Sequence, residues 1–313
     1  MILVERTAPL LTVQDRGRFG YRADGVTTSG PLDPLALAVA NGLVGNSQRA
    51  AVLEGCLGGA KFHFQRDVTF ALTGAELAAT LDDAPIETYA AYTAKEDSVL
   101  TIERITKGAI WYMAVSGGID VPEVLGSRST LVTAGLGGAN GAPIRPRALL
   151  AISPLSSPPP PPSPLPPSSR SSLLTNFDGP IPLLPAPHSD ALNEAEWSAF
   201  HAATFSISRS SSRVGYRLEG PLVPTHLPAD LASEPACAGA MQLPPEGQPI
   251  VLLADHPTVG GYPIIGVVPA HALGRFAQRA PGAPVRFRSE SISDAVAQLA
   301  AQREILDRWL AAP

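Results

Sequence analysis

Residues 12–33 read TVQDRGRFGYRADGVTTSGPLD and are the most informative part of the chain. It places three arginines, Arg16, Arg18 and Arg22, among glycines and aromatic residues. A strand interior would not hold so many glycines, so the pattern predicts a loop whose backbone closely approaches another group. Guanidinium groups on such a loop are suited to holding pairs of oxygen atoms.

Part of this stretch recurs in the second half of the chain. Residues 18–22 read RFGYR, and residues 213–217 read RVGYR. The second copy lies between an apolar, strand-like run and a Gly-Pro stop, which argues against a chance match. The recurrence indicates two related halves.

The composition predicts a globular protein without a nucleic-acid or membrane partner. The chain has 313 residues, of which 45% are hydrophobic and 16% charged, enough for two domains with full cores. A net charge of −5, with no basic block beyond the arginine loop, argues against nucleic-acid binding. Cys56 and Cys237 are too few for a disulfide framework and suggest a reducing compartment. No apolar run approaches the roughly 18 residues of a membrane span. Glu5 is acidic too early for a signal peptide, so we expect a cytoplasmic protein.

The first half is predicted to consist of short strands and one helix. Asp33-Pro34 marks a helix start, with Asp33 as the N-cap and proline at the first helical position. Asp82-Asp83 predicts the turn of a hairpin. The runs 99–105 and 110–115 are expected to form a further strand pair. This pattern is typical of a barrel or sandwich, so the fold class is mainly β with a few helices.

A proline-rich tract is predicted to separate two domains. Residues 154–187 contain 13 of the 33 prolines, and each proline removes a hydrogen-bond donor and fixes φ. We therefore expect an N-terminal domain at 1–153, a linker at 154–187 and a C-terminal domain at 188–313. A docking ligand for a partner is the competing interpretation of the tract, and its position favours the spacer.

The second half is predicted to begin with a helix and to continue with strands. The helix covers 191–203 and is followed by a strand over 204–208. A buried strand over 249–255 ends in Asp255, and a glycine turn follows at 258–263. A final helix is expected to be capped by Ser293 and to place four apolar residues on one face: Val296, Leu299, Leu306 and Leu310.

Several kinds of site are not supported by the sequence. The histidines, cysteines and carboxylates do not have metal-ligand spacing, so no metal is expected. A Walker loop and a Gly-x-Gly-x-x-Gly motif after a strand are both missing, so nucleotide binding by this chain alone is unsupported. Ser129 could be a nucleophile, but no nearby base is visible and a hydrogen-bonding role fits better.

The arginine-rich loops are the strongest candidates for a site. They carry Arg16, Arg18, Arg22, Arg128, Arg213 and Arg217, which could bind an anion or carboxyl group. The alternative is that the same arginines form internal salt bridges with carboxylates such as Asp15, Asp33, Glu54 or Glu219. Because glycine-rich loops from distant parts of the chain share this pattern, a site is favoured.

Five motifs resemble those of the biotin-dependent carboxyltransferase family. They are TVQD-x-GR-x-GY from Thr12, SG-x-x-D from Ser29, N-x-LVGN from Asn41, GSRST from Gly126 and GGYP from Gly260. That family includes the C subunit of 5-oxoprolinase, allophanate hydrolase subunit 2 and the carboxyltransferase domain of urea amidolyase. The resemblance implies two related cyclophilin-like β-barrel domains and ATP-dependent opening of 5-oxoproline to glutamate. It also implies a B-subunit-like partner and often an A-subunit-like one.

The loops and the resemblance together define the candidate site. The catalytic candidates are Arg18, Arg128, Ser129 and Asp255. The substrate-binding candidates are Tyr21, Arg22, Ser29, Arg213, Tyr216, Arg217, Gln242, Thr258, Gly260, Gly261 and Tyr262. ATP is expected to be used by the assembly, and biotin is not expected on this chain because it has no biotinyl-lysine segment.

The chain departs from the family's motifs mainly in its second half. Ser212 replaces a usual aspartate, His256 a usual arginine and Ile264 a usual lysine, while Pro-Gly-Pro-Gln becomes PAPH at 185–188. We therefore expect the first half to carry more of the chemistry, so that Arg18→Ala or Arg128→Ala abolishes activity without changing the melting temperature. A non-catalytic regulator of a B-subunit-like protein and an allophanate or urea amidolyase-type carboxyltransferase remain as alternatives.

Overall fold

The computed structural model describes residues 1–154, 165, 177–224, 226 and 231–311. Within these residues the chain forms twenty strands and four α-helices. The strands are β1 (Ile2–Arg6), β2 (Leu10–Gln14), β3 (Val52–Cys56), β4 (Ala60–Phe64), β5 (Val68–Leu81), β6 (Ala84–Ile86), β7 (Ala91–Ala94), β8 (Val99–Val115), β9 (Ile119–Asp120), β10 (Leu149–Ile152), β11 (Ile181–Pro185), β12 (Phe205–Ile207), β13 (Gly215–Glu219), β14 (Glu234–Pro235), β15 (Ala240–Gln242), β16 (Ile250–Leu252), β17 (Val259–Gly260), β18 (Ile264–Val267), β19 (Pro284–Val285) and β20 (Phe287–Ser289). The helices are α1 (Pro34–Leu43), α2 (Glu194–Ala202), α3 (Ala270–Ala277) and α4 (Ile292–Leu310).

The chain divides into two compact units, each built on one large sheet. Unit 1 comprises 1–18, 29–174 and 305–313, and unit 2 comprises 19–28 and 175–304. Each large sheet is barrel-like, so the predicted mainly β class with a few helices and two barrel-like sheets is confirmed. The first RFGYR copy is divided at this boundary, because Arg18 belongs to unit 1 and Arg22 to unit 2.

The sheet of unit 1 has ten strands around a large apolar core. Its main path runs β2-β3-β8-β4-β1-β10-β9, with β5 paired to β6, β7 and β8. The fully buried Trp111 lies in this core, with its ring edge-on to Phe62 at a centroid distance of 6.2 Å. A Cβ at Gly55 would overlap the Trp111 ring, so glycine on β3 makes room for the largest core residue.

The predicted strand pair over 99–105 and 110–115 is wrong, because these residues form the single strand β8. Val99–Ile102 pair with β4, whereas Ile110–Met113 pair with β3. Gly108, with φ of 92°, lies between the two stretches, but the chain does not reverse there. Both apolar runs pair with β5 on one edge of β8, and on the other edge they pair with different strands and not with each other.

Two local predictions in unit 1 are confirmed. Asp33 is the N-cap of α1, its Oδ1 accepting a hydrogen bond from Ala36 N at 3.1 Å, and Pro34 is the first helical residue. Asp82 and Asp83 form the turn between β5 and β6 with φ of 49° and 65°. Two successive positive φ angles are typical of the tight turn that matches the twist of a hairpin.

The final helix begins with a different cap from the one predicted. Ser291 Oγ, not Ser293, accepts the hydrogen bond from Asp294 N at 3.1 Å. The predicted apolar face is also partly wrong, because Val296 is 63% exposed, while Ala295 and Trp309 are buried. Leu299, Leu306 and Leu310 are half-buried, so the predicted face is wrong only at Val296 and lacks Ala295 and Trp309.

The sheet of unit 2 has eight strands in the order β19-β12-β13-β16-β15-β18-β11-β20. Strand β11 lies inside the segment 154–187 that was predicted as a linker. Pro182 and Pro185 do not interrupt the edge of β11 beside β20, because the bonds there are made by the residues on either side of Pro182. Ile181 N donates to Arg286 O at 2.8 Å, and Leu183 O accepts from Glu290 N at 3.0 Å. Most of the rest of the proline tract lies outside the described residues. A two-stranded sheet, β14-β17, completes the unit.

Among the described residues, none of the helices combines the length and apolar character needed to cross a membrane.

Candidate functional site

Asp15 is the centre of the loop network in unit 1. Its Oδ1 accepts hydrogen bonds from Gly17 N at 2.9 Å and from the hydroxyls of Ser127 and Ser129, each at 2.6 Å. Its Oδ2 accepts from Arg128 N at 2.6 Å. The fully buried Ser129 is therefore a donor to a carboxylate. In this arrangement its hydroxyl joins two loops, as the hydrogen-bonding interpretation of the sequence proposed.

Arg18, a predicted catalytic residue, is fully buried in unit 1. Its Nε donates to Val124 O and its Nη2 to Ser129 O, both at 2.9 Å. A Cβ at Gly137 would lie 2.7 Å from Arg18 Nη2, so a glycine is required beside the guanidinium. These contacts are those of a residue that joins loops through their carbonyl groups.

Arg128 is held by groups of its own loop. Its Nε donates to Val121 O at 2.9 Å, and its Nη1 forms an ion pair with Glu123 at 2.6 Å. The side chain of Arg128 is 29% exposed. The salt-bridge alternative thus describes this arginine, although Glu123 was not among the carboxylates proposed as partners.

Ser29 lies in the same buried region. Its hydroxyl donates to Thr130 O at 3.1 Å, and Gln14 Nε2 donates to the same carbonyl at 3.2 Å. The Thr130 hydroxyl in turn donates to Val13 O at 3.0 Å. The polar residues of the TVQD and GSRST motifs therefore bind one another within unit 1.

Glu54 and Tyr112 form a buried pair in unit 1. The sequence analysis did not predict this pair, because it considered Glu54 only as a salt-bridge partner for the arginines. Tyr112 donates its hydroxyl to Glu54 Oε2 at 2.7 Å, and Leu32 N donates to the same oxygen at 2.9 Å. Burial raises the pKa of Tyr112 well above its usual range, and the negative charges of Glu54 and Asp33 raise it further. The available signal was one carboxylate within the apolar run AVLEGC at 51–56.

Arg213 and Asp255 form a buried ion pair in unit 2. Arg213 Nε donates to Asp255 Oδ2 at 2.9 Å and Nη2 to Oδ1 at 3.0 Å. The two side chains are only 5% and 3% exposed. Asp255, predicted to be catalytic, is thus a bidentate partner of the arginine that begins the second RVGYR copy.

The two five-residue copies differ in local structure. In the second, Gly215–Arg217 belong to β13 and pair with β16. In the first, Gly20 has φ of 99° and lies in a loop. Tyr216 is buried and donates its hydroxyl to Ala277 O at 2.8 Å. Tyr21 is only half-buried and precedes a short 3-10 turn.

Arg22 binds two groups of unit 2. Its Nη1 lies 3.3 Å from His256 Nε2, and its Nη2 donates to Ala236 O. Because a guanidinium can only donate, Nε2 of His256 accepts and its Nδ1, 2.7 Å from Pro257 O, carries the proton. Burial lowers the pKa of His256, and the charge of Arg22 acts in the same direction. The histidine is therefore neutral at pH 7.

This neutral histidine predicts an acid-sensitive stability. The pKa of His256 is lower in the folded than in the unfolded state. The contribution of His256 to the free energy of unfolding is therefore present above about pH 6.5 and is lost as the pH falls through the folded-state pKa. His256→Gln keeps an acceptor for Arg22 without titrating. Urea unfolding between pH 5 and 7 measures how the free energy of unfolding changes with pH. We expect this slope to be smaller for the variant than for the parent protein, by up to about 1.4 kcal/mol per pH unit. Equal slopes for both proteins would contradict the neutral assignment.

Several candidate binding residues of unit 2 lie around the glycine turn that was predicted to bind substrate. Gln242 is 5% exposed, and its Nε2 has no hydrogen-bond partner among the described residues. A Cβ at Gly260 would overlap this nitrogen, so the amide packs directly against the glycine and a larger residue would displace it. Thr258 O accepts from Ala236 N at 3.0 Å, and Ala236 O is bound by Arg22. We call Arg22, Gln242, His256, Thr258 and Gly260 the Gly260 cluster.

Two further candidates, Arg217 and Tyr262, line a separate pocket of about 480 Å³ in unit 2. Gly261 lies beside this region, and a Cβ there would make only ordinary contact with Leu231 O at 3.5 Å. Of the predicted residues, unit 2 thus collects Arg22, Gln242, Thr258 and Gly260 in one cluster and Arg217 and Tyr262 in one pocket. Among the described residues, no group of three or more histidine, cysteine, aspartate or glutamate side chains could hold a metal ion.

The two barrel-like sheets and the motif loops define a carboxyltransferase-type protein. The model of the family "Carboxyltransferase domain, subdomain A and B" matches residues 24–289. The chain belongs to this family, and the predicted resemblance is confirmed.

Individual members of the family resemble this chain over most of its length. The chain is 36% identical over 302 residues to the C subunit of 5-oxoprolinase from Escherichia coli K12, a match that covers 95% of this chain and 93% of the relative. It is 34% identical over 304 residues to the corresponding 5-oxoprolinase protein of Haemophilus influenzae, covering 94% and 92%. The crystal structure of the K. lactis urea amidolyase superposes with a TM-score of 0.91 at 30% identity, covering 98% of this chain but only 20% of that chain.

Proposed function

We propose that this chain is the C-subunit-like component of an ATP-dependent 5-oxoprolinase that opens 5-oxoproline to glutamate. The observation that carries the proposal is the match to the C subunit of 5-oxoprolinase over 93% of that protein's length. The urea amidolyase match, by contrast, covers a fifth of a much longer chain. The proposed partners are a B-subunit-like protein and an A-subunit-like protein, and ATP is used by that assembly.

The chemistry of the reaction matches the donors of the Gly260 cluster. 5-Oxoproline presents a carboxylate and a lactam carbonyl, and ring opening develops negative charge on the carbonyl oxygen. The amide nitrogen of Gln242 has no hydrogen-bond partner among the described residues and is the proposed donor for such an oxygen, and Gly260 packs directly beside it. Arg22 adds a positive charge beside the same turn.

The predicted catalytic residues and Arg213 take supporting roles in this proposal. The Arg213–Asp255 pair holds the segment that leads into His256. In unit 1, Arg18, Arg128 and Ser129 hold the loops around Asp15. Unit 1 therefore supplies a scaffold in this proposal, and we assign the substrate contacts to Gln242, Gly260 and Arg22 of unit 2.

The test is reconstitution with the partner proteins. The purified chain, combined with its A-subunit-like and B-subunit-like partners, is expected to couple ATP hydrolysis to formation of glutamate from 5-oxoproline. Gln242→Ala should lower kcat by about 100-fold, the usual cost of losing one oxyanion donor. Gln298→Ala on the exposed side of α4 is the matched control and should leave kcat unchanged.

Each alternative has its own outcome in this experiment. Full activity of the Gln242→Ala complex would remove the Gly260 cluster from the site while leaving the function standing. Carboxyl transfer to urea from an added carboxybiotin donor, in place of ring opening, would identify a urea amidolyase-type protein. Binding to the B-subunit-like partner without any turnover would identify a regulator.

A further inference from the structure

The pocket of unit 2 carries unpaired groups of both charges. Its volume is about 480 Å³, within the range of small-molecule sites. Its polar lining consists mainly of Ser208, Arg217, Glu219, Glu246, Gln248 and Tyr262. None of these six residues belongs to the Gly260 cluster, so the pocket is a second candidate site.

Strand β13 fixes the positions of two of the charges. Arg217 and Glu219 are two residues apart and project from the same face, whereas Leu218 between them is buried on the other face. Arg217 N donates to Ser211 Oγ at 3.0 Å, and Arg217 O accepts from Ser208 N at 2.9 Å. The backbone that carries the guanidinium is therefore held in place.

The charged groups of the pocket are not used by the fold. In the part of the chain that the structure describes, the Arg217 guanidinium has no ion-pair partner within 4.0 Å, and neither has the carboxylate of Glu219 or Glu246. A guanidinium fork fits a carboxylate. Two carboxylates on the same pocket favour a cationic group on the ligand as well, because a purely anionic ligand would be repelled by them.

Gln248 adds an acceptor that needs a donor. Its Nε2 donates to Gly220 O at 3.1 Å, which orients the amide. The other amide atom, Oε1, is buried and has no hydrogen-bond partner among the described residues. Burying an acceptor without a donor costs free energy, so a ligand that brings an N–H group to this oxygen gains from it.

We infer that this pocket binds a free α-amino acid as its zwitterion. The ligand's carboxylate pairs with Arg217, and its ammonium group donates to Gln248 Oε1 beside Glu219 and Glu246. The side chain of the amino acid faces the ring of Tyr262 and the apolar residues Pro244 and Ile250. The lactam nitrogen of 5-oxoproline carries no positive charge, so the pocket discriminates against that molecule. The inference does not depend on the proposed function.

The experiment is calorimetric titration of the full chain without its partner proteins. L-Glutamate and L-alanine are compared with N-acetyl-L-alanine, which lacks the ammonium charge, and with L-alaninamide, which lacks the carboxylate. We expect both free amino acids to bind and each blocked compound to bind at least about tenfold more weakly. Equal affinity for N-acetyl-L-alanine and L-alanine, or no binding of any amino acid at millimolar concentration, would overturn the inference.

Substitutions of pocket residues test whether the amino acid binds in this pocket. Arg217→Met and Glu246→Gln should each weaken L-alanine binding by at least about tenfold. Arg286→Met, at an exposed arginine of the same unit, is the matched control and should bind as the parent does. Thermal unfolding of each variant shows that it is folded. Arg217→Lys keeps the positive charge but removes the planar guanidinium that can bind both carboxylate oxygens. Because binding is measured on the isolated chain and turnover on the assembly, failure of one proposal is distinguishable from failure of the other.

Discussion

Asp255→Ala is expected to lower the free energy of unfolding of unit 2 by about 3–5 kcal/mol, because it would leave the guanidinium of Arg213 buried without its carboxylate. Both side chains are almost completely removed from solvent, and both bonds of the bidentate pair would be lost. Urea unfolding followed by tryptophan fluorescence measures the change. Trp197 reports on unit 2, and replacing Trp111 and Trp309 in unit 1 by phenylalanine in all compared proteins isolates its signal.

The double variant Arg213→Met/Asp255→Leu separates the lost pair from lost packing. Replacing both charges by apolar side chains removes the uncompensated charge, so we expect it to recover most of the stability lost in Asp255→Ala. Arg217→Met is the matched control for the arginine change, because this arginine of the same motif is exposed. A catalytic Asp255 without a structural role would instead show unchanged stability and lost activity.

Arg18→Ala is expected to destabilise unit 1 by about 3 kcal/mol, because two carbonyl groups would each lose the hydrogen bond that the guanidinium donates. Those carbonyls belong to Val124 and Ser129, and the side chain that is removed is fully buried. The measurement is the unfolding free energy of unit 1, followed through Trp111 with Trp197 and Trp309 replaced by phenylalanine.

Arg16→Ala provides the control in the same loop. Arg16 is exposed, so its removal should change stability by no more than about 0.5 kcal/mol. The sequence alone predicted that Arg18→Ala would abolish activity and leave the melting temperature unchanged. If that result is obtained, Arg18 serves the site directly, and the structural role derived from its two carbonyl contacts is wrong.

Local patterns in the sequence determined a large part of the fold. The cap at Asp33, the proline that follows it and the turn at Asp82-Asp83 each involve residues a few positions apart, so their signals are complete within a short window. The mainly β class follows from apolar alternation, which is also local. The family could be recognised because its motifs are short and continuous, and the match over residues 24–289 confirms it.

The contacts of the motif residues could not be predicted from the sequence, because they join segments that are far apart in the chain. Arg18 meets Val124 across 106 residues, Arg213 meets Asp255 across 42, and Arg22 meets His256 across 234. The charge of an arginine is visible in sequence, but whether it faces a carbonyl, a carboxylate or solvent depends on which distant segment the sheet brings beside it. For the same reason two similar copies of Arg-x-Gly-Tyr-Arg became a loop and a strand. The second copy becomes a strand because β16, more than thirty residues further along the chain, supplies its hydrogen-bond partners, whereas Gly20 of the first copy has a positive φ in a loop.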